Sequence, residues 1–164
     1  YNILFNFGVE DFVVRSKKIG LFGLIVPDIP PEEDDGIYFS ACINKGINPI
    51  VLVSPTTSRL RLKEYINLAN GFVYSTSRIG ITGAGKNPHK KLESFIGRLK
   101  KIINLPVAIG FGIDSPESAK SISKHADIIV IGSIILKIVN ENPEKYPDML
   151  YYFLSNVKKS INAD

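Results

Sequence analysis

The sequence predicts an α/β fold, a parallel sheet in which a helix follows each strand. Three observations carry the prediction. Short apolar, β-branched runs alternate with amphipathic stretches along the whole chain, the pattern of repeated βα units with right-handed crossovers. The unit recurs about every 20–35 residues, against ~31 per unit in a (β/α)8 barrel of ~250 residues, so the chain amounts to about five units of such a barrel. Two consecutive runs, Pro106-Val107-Ala108-Ile109-Gly110-Phe111-Gly112 and Asp127-Ile128-Ile129-Val130-Ile131-Gly132-Ser133, stop at glycine just before a helix start. That pairing matches the phosphate site after strands seven and eight of the barrel. One domain spanning residues 1–164 is expected. A doubly wound open sheet is the alternative, and it would need its ligand at a switch in strand order.

The elements follow in order. The chain opens on Tyr1 rather than methionine, and Tyr1-Asn2-Ile3-Leu4-Phe5 begins inside an element, as a piece of something longer would. Val9 to Lys18 reads as a short amphipathic helix ending near Gly20, and Leu21 to Val26 as a strand closing on Pro27-Asp28. Pro30-Pro31-Glu32-Glu33 opens a helix, because proline fits the first turn and acids suit its dipole. It is expected to run to about Lys45 and stop at Gly46, with Gly36 as a weak point costing about 1 kcal/mol against alanine. Ile50 to Val53 is a strand, Arg59 to Asn70 a helix stopped by Gly71, and Phe72 to Thr76 a strand. A glycine-bearing loop, Ser77 to Asn87, leads to a helix over His89 to Ile103. Its apolar residues Leu92, Phe95, Ile96, Leu99 and Ile103 share one face. The two glycine-ended runs read as buried parallel strands, followed by helices starting at Ser115-Pro116-Glu117 and at Ser133. Pro143 to Ile161 is a last helix, with Leu150, Phe153, Leu154 and Val157 inward.

Composition narrows the function. The chain is 45% hydrophobic and 22% charged, with a net charge of +4. That is an ordinary globular make-up, and Lys100-Lys101 and Lys158-Lys159 read as solvated helix surface rather than a nucleic-acid stripe. The single cysteine, Cys42, leaves no internal disulfide, as in a reducing compartment. No apolar run reaches the ~20 residues of a membrane helix, so neither a membrane nor a nucleic acid is expected as partner. Abundant isoleucine, lysine and asparagine suggest an AT-rich genome, and hence the cytoplasm or a plastid stroma.

The chemistry-bearing residues point to an anion. Glycine turns bring bare N–H groups close to a ligand, and helix N-termini attract negative charge. The loop Gly80-Ile81-Thr82-Gly83-Ala84-Gly85-Lys86-Asn87 nearly spells an ATP-binding P-loop. Asn87 stands where magnesium ligation needs serine or threonine, so a lid over a site, hinged at its glycines, is the better reading. Thr82 could offer its hydroxyl to a phosphate or a neighbouring carboxylate. Asp28, at a strand end, reads as a site carboxylate, a lid anchor or an N-cap. Tyr74 shares one side of its strand with Phe72 and Thr76, facing either core or site. Phe111, between two glycines, suits cover for an apolar ligand ring, and Arg78 could pair with Asp28 or with a substrate anion. His89 and His125 lack metal-ligand spacing, and no Ser-His-Asp arrangement or acid–base pair of carboxylates is visible. Glu32-Glu33 and Asp34-Asp35 are explained by a helix dipole.

These residues together resemble one family. Leu24-Ile25-Val26-Pro27-Asp28-Ile29-Pro30-Pro31-Glu32-Glu33, Ser77-Arg78-Ile79-Gly80-Ile81-Thr82-Gly83-Ala84 and Val107-Ala108-Ile109-Gly110-Phe111-Gly112-Ile113 look like segments of tryptophan synthase alpha chains, as do Tyr1-Asn2-Ile3 and Val130-Ile131-Gly132-Ser133. The match runs in order along the whole chain. The resemblance implies the last five or so βα units of a TIM barrel and a lyase of tryptophan biosynthesis. Such an enzyme cleaves indole-3-glycerol phosphate by a retro-aldol step to indole and glyceraldehyde 3-phosphate. It implies that Gly83, Gly112, Gly132 and Ser133 give N–H groups to the phosphate, that Tyr74 and Phe111 line the indole pocket, and that Thr82 meets Asp28 when the lid closes. It places the family's catalytic glutamate and aspartate upstream of Tyr1, with no catalytic residue, metal or cofactor in this chain. It also implies a beta chain partner carrying pyridoxal phosphate (PLP), in an alpha2-beta2 heterotetramer. Two alternatives stand beside it. One is a non-catalytic half-barrel that binds a beta chain through Asn2, Asp28 to Pro30 and Ser77 to Lys86. The other is a different phosphate-binding barrel, such as a sugar-phosphate isomerase.

Overall fold

The computed structural model describes residues 1–76, 88–110 and 112–163, and of residues 88–91 the backbone. Five strands form one sheet: β1 (Gly23–Ile25), β2 (Asn48–Val53), β3 (Val73–Thr76), β4 (Val107–Gly110) and β5 (Ile128–Val130). All neighbours are parallel and lie in the order β1-β2-β3-β4-β5. Chain order equals spatial order, so the sheet winds in one direction and has no switch point. That is the arc of a barrel rather than a doubly wound sheet.

Eight helices are described: α1 (Asn2–Phe7), α2 (Val9–Lys18), α3 (Ile37–Lys45), α4 (Arg59–Leu68), α5 (Pro88–Lys100), α6 (Pro116–Ser123), α7 (Ser133–Glu141) and α8 (Tyr146–Asn162). None of them is long and apolar enough to cross a membrane. Leu92, Phe95, Ile96 and Leu99 are buried as the spacing of the α5 face predicts, and Ile103 is buried too, although α5 ends at Lys100 rather than at Ile103. They pack with Val51, Val73, Val107, Ile109 and Val157 into the main core, between the sheet and its helices. A second cluster, built on Val13, Tyr38, Phe39, Cys42 and Ile47, joins α2 and α3 beside β1.

Four expectations are corrected. No single helix runs from Pro30 to Lys45. A 3-10 turn, Pro31–Glu33, ends before Asp35 and Gly36, which take φ +50° and +78°. The Asp34 carboxylate then accepts from the Tyr38 and Phe39 N–H groups at 2.8 and 3.0 Å, capping the first turn of α3. A cap of this kind is worth about 0.5–2 kcal/mol, and it gives Asp34 a more specific task than dipole matching. Helix α4 stops at Leu68, short of Gly71, which takes φ +77° three residues on. β4 is buried throughout, but β5 is not: Ile128 is 37% exposed, because β5 is an edge of the described sheet. Helix α8 starts at Tyr146 rather than Pro143, and its Leu154 is 43% exposed, while Val157 is buried.

Candidate functional site

The C-terminal ends of β3, β4 and β5 converge on a cavity of about 450 Å³. Tyr74 enters it from β3. Gly112, Ile113 and Asp114 enter from the turn after β4, Val130 from β5, and Gly132, Ser133, Ile134 and Lys137 from the start of α7. Four residues singled out in the sequence (Tyr74, Gly112, Gly132 and Ser133) therefore meet in one place. Thr82, Gly83 and Phe111, with Arg78 and the lid loop, lie outside the described residues.

The local folding of each wall has a cause. Strand alternation buries Val73 and Ser75 completely and leaves Tyr74 and Thr76 on the opposite side, half-buried. Register sets Thr76 beside Gly110 and Gly110 beside Val130. Gly110 is necessary there, since a Cβ built on it would lie 1.7 Å from the Tyr74 hydroxyl oxygen and 2.6 Å from Cζ. The phenol thus lies across the bare end of β4, and burial raises its pKa above the ordinary tyrosine value. Gly112 takes φ +76°, open to glycine at no steric cost. It turns the chain toward α6, whose start carries a capping box between Ser115 and Ser118. In α7 the Gly132 carbonyl accepts from the Ile135 and Leu136 N–H groups. The N–H groups of Ser133 and Ile134, at the first two helical positions, fall outside the intrahelical ladder. Both residues line the cavity. Free N–H groups, a helix dipole and a glycine turn on one concave surface suit a tetrahedral anion.

Asp28 lies apart from this cavity. It caps no helix: the residue before the 3-10 turn is Pro30, with no side-chain cap. Its carboxylate is exposed. Asp28 lines a second hollow of about 320 Å³, beside Arg61 and Tyr65. Glu32 pairs with Arg61 across that hollow's rim. Cys42 belongs to the core, where burial pushes its thiol up to about 11. His125 pairs with Glu93 at 3.4 Å. Among the described residues no three histidine, cysteine or acidic side chains gather as a metal site would need.

The sequence reading missed Lys137 and Asp114. A signal for Lys137 was present: it stands four positions after Ser133, hence on the same helical face. Asp114 falls between a glycine turn and a capping serine, a position that carries no distinctive pattern.

Fold and cavity together define part of a βα barrel: five consecutive parallel strands with a cavity at their C-terminal ends. The family model "Tryptophan synthase alpha chain" matches residues 1–163. This chain belongs to the tryptophan synthase alpha chain family. It is 42% identical to the tryptophan synthase alpha chain of Petrotoga mobilis over 88% of this chain and 55% of that one. To the alpha chain of Methanocaldococcus jannaschii it is 42% identical, over 87% of this chain and 50% of that one. It superposes on a chain of the tryptophan synthase complex from Pyrococcus furiosus with a TM-score of 0.82 and 28% identity, covering 97% of this chain and 63% of the other. The chain thus spans about half the length of the two curated relatives it matches.

Proposed function

We propose that this chain forms the phosphate- and ring-binding side of a tryptophan synthase alpha chain, a lyase of tryptophan biosynthesis acting on indole-3-glycerol phosphate. The observation that carries the reading is the meeting of Tyr74, Gly112, Gly132 and Ser133 on one cavity at the C-terminal strand ends, where barrel enzymes keep their sites. In this reading the N–H groups of Gly112, Gly132 and Ser133 receive the phosphate, with Gly83 as a further donor. The Tyr74 ring forms one wall for the flat indole, Phe111 forms another, and Thr82 reaches Asp28 as the lid closes.

The cleavage is a retro-aldol step. The bond between the indole ring carbon and the glycerol chain breaks. The ring carbon takes up a proton, and the hydroxyl on the departing carbon gives one up as it becomes the aldehyde of glyceraldehyde 3-phosphate. Atoms balance without a co-reactant, and each proton needs an acid or base at its own end of the substrate. The described part of this chain contributes anchoring: fixing the phosphate and the ring holds the scissile bond in one geometry, which is worth orders of magnitude in rate. The family resemblance assigns the proton transfers to a glutamate and an aspartate that match no residue of this sequence. By likeness to the Pyrococcus furiosus complex, the partner is a beta chain. Pyridoxal phosphate chemistry belongs to that partner, and the assembly is an alpha2-beta2 heterotetramer.

Calorimetric titration with indole-3-glycerol phosphate tests the reading. The chain is expected to bind it, and Gly112→Asp, which sets a carboxylate beside the anion, is expected to abolish binding. An unaltered affinity in that variant, or no binding by the parent chain, would overturn the assignment.

A further inference from the structure

The backbone cradle leaves a charge imbalance. A phosphate monoester carries about −1.5 to −2 at neutral pH, whereas one helix N-terminus supplies roughly half a positive charge. Charged side chains that line the cavity can supply more. Among the described residues two charged ones line the cavity, and they have opposite signs: Lys137 from the second turn of α7 and Asp114 from the turn after β4. Both are exposed, and neither forms an ion pair with another described residue. Lys137 shares the helical face of Ser133, so its ammonium and the free N–H groups address the same space. Asp114 follows Gly112 by two residues, with its own N–H tied to the Ser118 hydroxyl at 3.2 Å.

Resting on the phosphate reading above, we infer that Lys137 and Asp114 act as a paired charge filter: Lys137 draws in the phosphate dianion, and Asp114 turns away phosphorylated ligands that carry a further negative group. The lysine alone would favour every anion. The carboxylate adds the repulsive half that selectivity requires. The ligand class so defined is a phosphate monoester whose remaining groups are uncharged, such as a polyol phosphate, as opposed to a phosphorylated acid.

The test is a set of titrations of the chain with glycerol 3-phosphate and with 3-phosphoglycerate, which carries a carboxylate in place of a hydroxymethyl group. Lys137→Gln should weaken glycerol 3-phosphate binding about fivefold at low salt, the effect of one unit charge at a few ångströms in a wet site. The loss should shrink on going from 50 to 500 mM salt as screening sets in, and Lys137→Arg should restore affinity. Asp114→Asn should raise the affinity for 3-phosphoglycerate several-fold more than that for glycerol 3-phosphate. Both side chains are exposed, and circular dichroism should show each variant folded. If the parent chain binds and Lys137→Gln binds as well as it does, or if Asp114→Asn leaves the ratio of the two ligands unchanged, the filter is refuted while the cradle stands. If the parent chain binds neither ligand, the phosphate reading falls and the filter with it.

Discussion

The two ends of the sheet are built by opposite rules. At the N-terminal ends, side chains tie the backbone down. The Asp127 carboxylate accepts from the Val107 N–H at 2.9 Å and from Lys100 Nζ at 2.8 Å, and Asn48 Nδ2 donates to the Phe22 carbonyl at 2.7 Å. At the C-terminal ends, glycine removes the side chain at two positions, and Gly112, Gly132 and Ser133 border the cavity. One end spends its polar groups internally, and the other leaves them open. That division separates stability from recognition in a βα barrel, and it can be broken from either side.

The largest effect is expected at Gly112. Gly112→Asp combines a side chain at φ +76° with a negative charge facing an anion. Phosphate-ligand binding should fall by more than about a hundredfold, the scale of an uncompensated charge pair at close range, while circular dichroism still shows a folded chain. Next comes Gly110→Ala, whose Cβ would overlap the Tyr74 hydroxyl. The phenol must swing out of the cavity, so affinity for an indole-bearing phosphate should drop more than affinity for inorganic phosphate. Overpacking should also cost about 1–3 kcal/mol in urea unfolding. The converse variant, Asp127→Ala, deprives the Val107 N–H of its acceptor and should cost about 1–2 kcal/mol of stability, with phosphate affinity unchanged. A loss of affinity there would show that the two ends are coupled.

The smallest effect is a pH dependence confined to the N-terminal end. The hydrogen bond from Lys100, and then that from Val107, holds the Asp127 carboxyl below its usual range. A carboxyl with a lowered folded value stabilises the fold fully above its unfolded pKa of about 3.9, and that contribution fades as pH falls through the folded value. Melting temperatures measured from pH 7 to 3 should therefore decline below about pH 4. The decline should be shallower in Asp127→Ala, and most of the difference should disappear in 1 M salt, as expected for an exposed pair.

Sequence patterns read the repeated parts well and the special parts unevenly. The face of α5 was legible because four apolar side chains at helical spacing, Leu92, Phe95, Ile96 and Leu99, admit one burial pattern. Gly46 as the stop of α3 was legible because its φ of +68° is glycine's own territory. The break at Asp35-Gly36 was hidden, because Pro-Pro-Glu-Glu is a good helix opening, and only the Asp34 cap on Tyr38 and Phe39 decides where α3 begins. The exposure of β5 and of Leu154 depends on what lies beside them, and composition cannot report that. The lining of the cavity by Gly112, Gly132 and Ser133 was legible through their place at strand ends. Tyr74 was ambiguous, because period two assigns a side and not what fills it. Lys137 and Asp114 went unseen, because an exposed charge near a turn looks like any other until the fold brings it to a cavity.

The strict agreement between chain order and strand order bears on how the protein is made. Each strand after β1 has its docking partner already present as it leaves the ribosome, so this part of the sheet can grow one βα unit at a time without waiting for distant sequence. Closure of each unit spans a few tens of residues, which keeps loop-closure entropy low and favours vectorial assembly. The glycine turns that border the cavity follow β4 and β5, so they emerge onto a scaffold that the earlier units have already built.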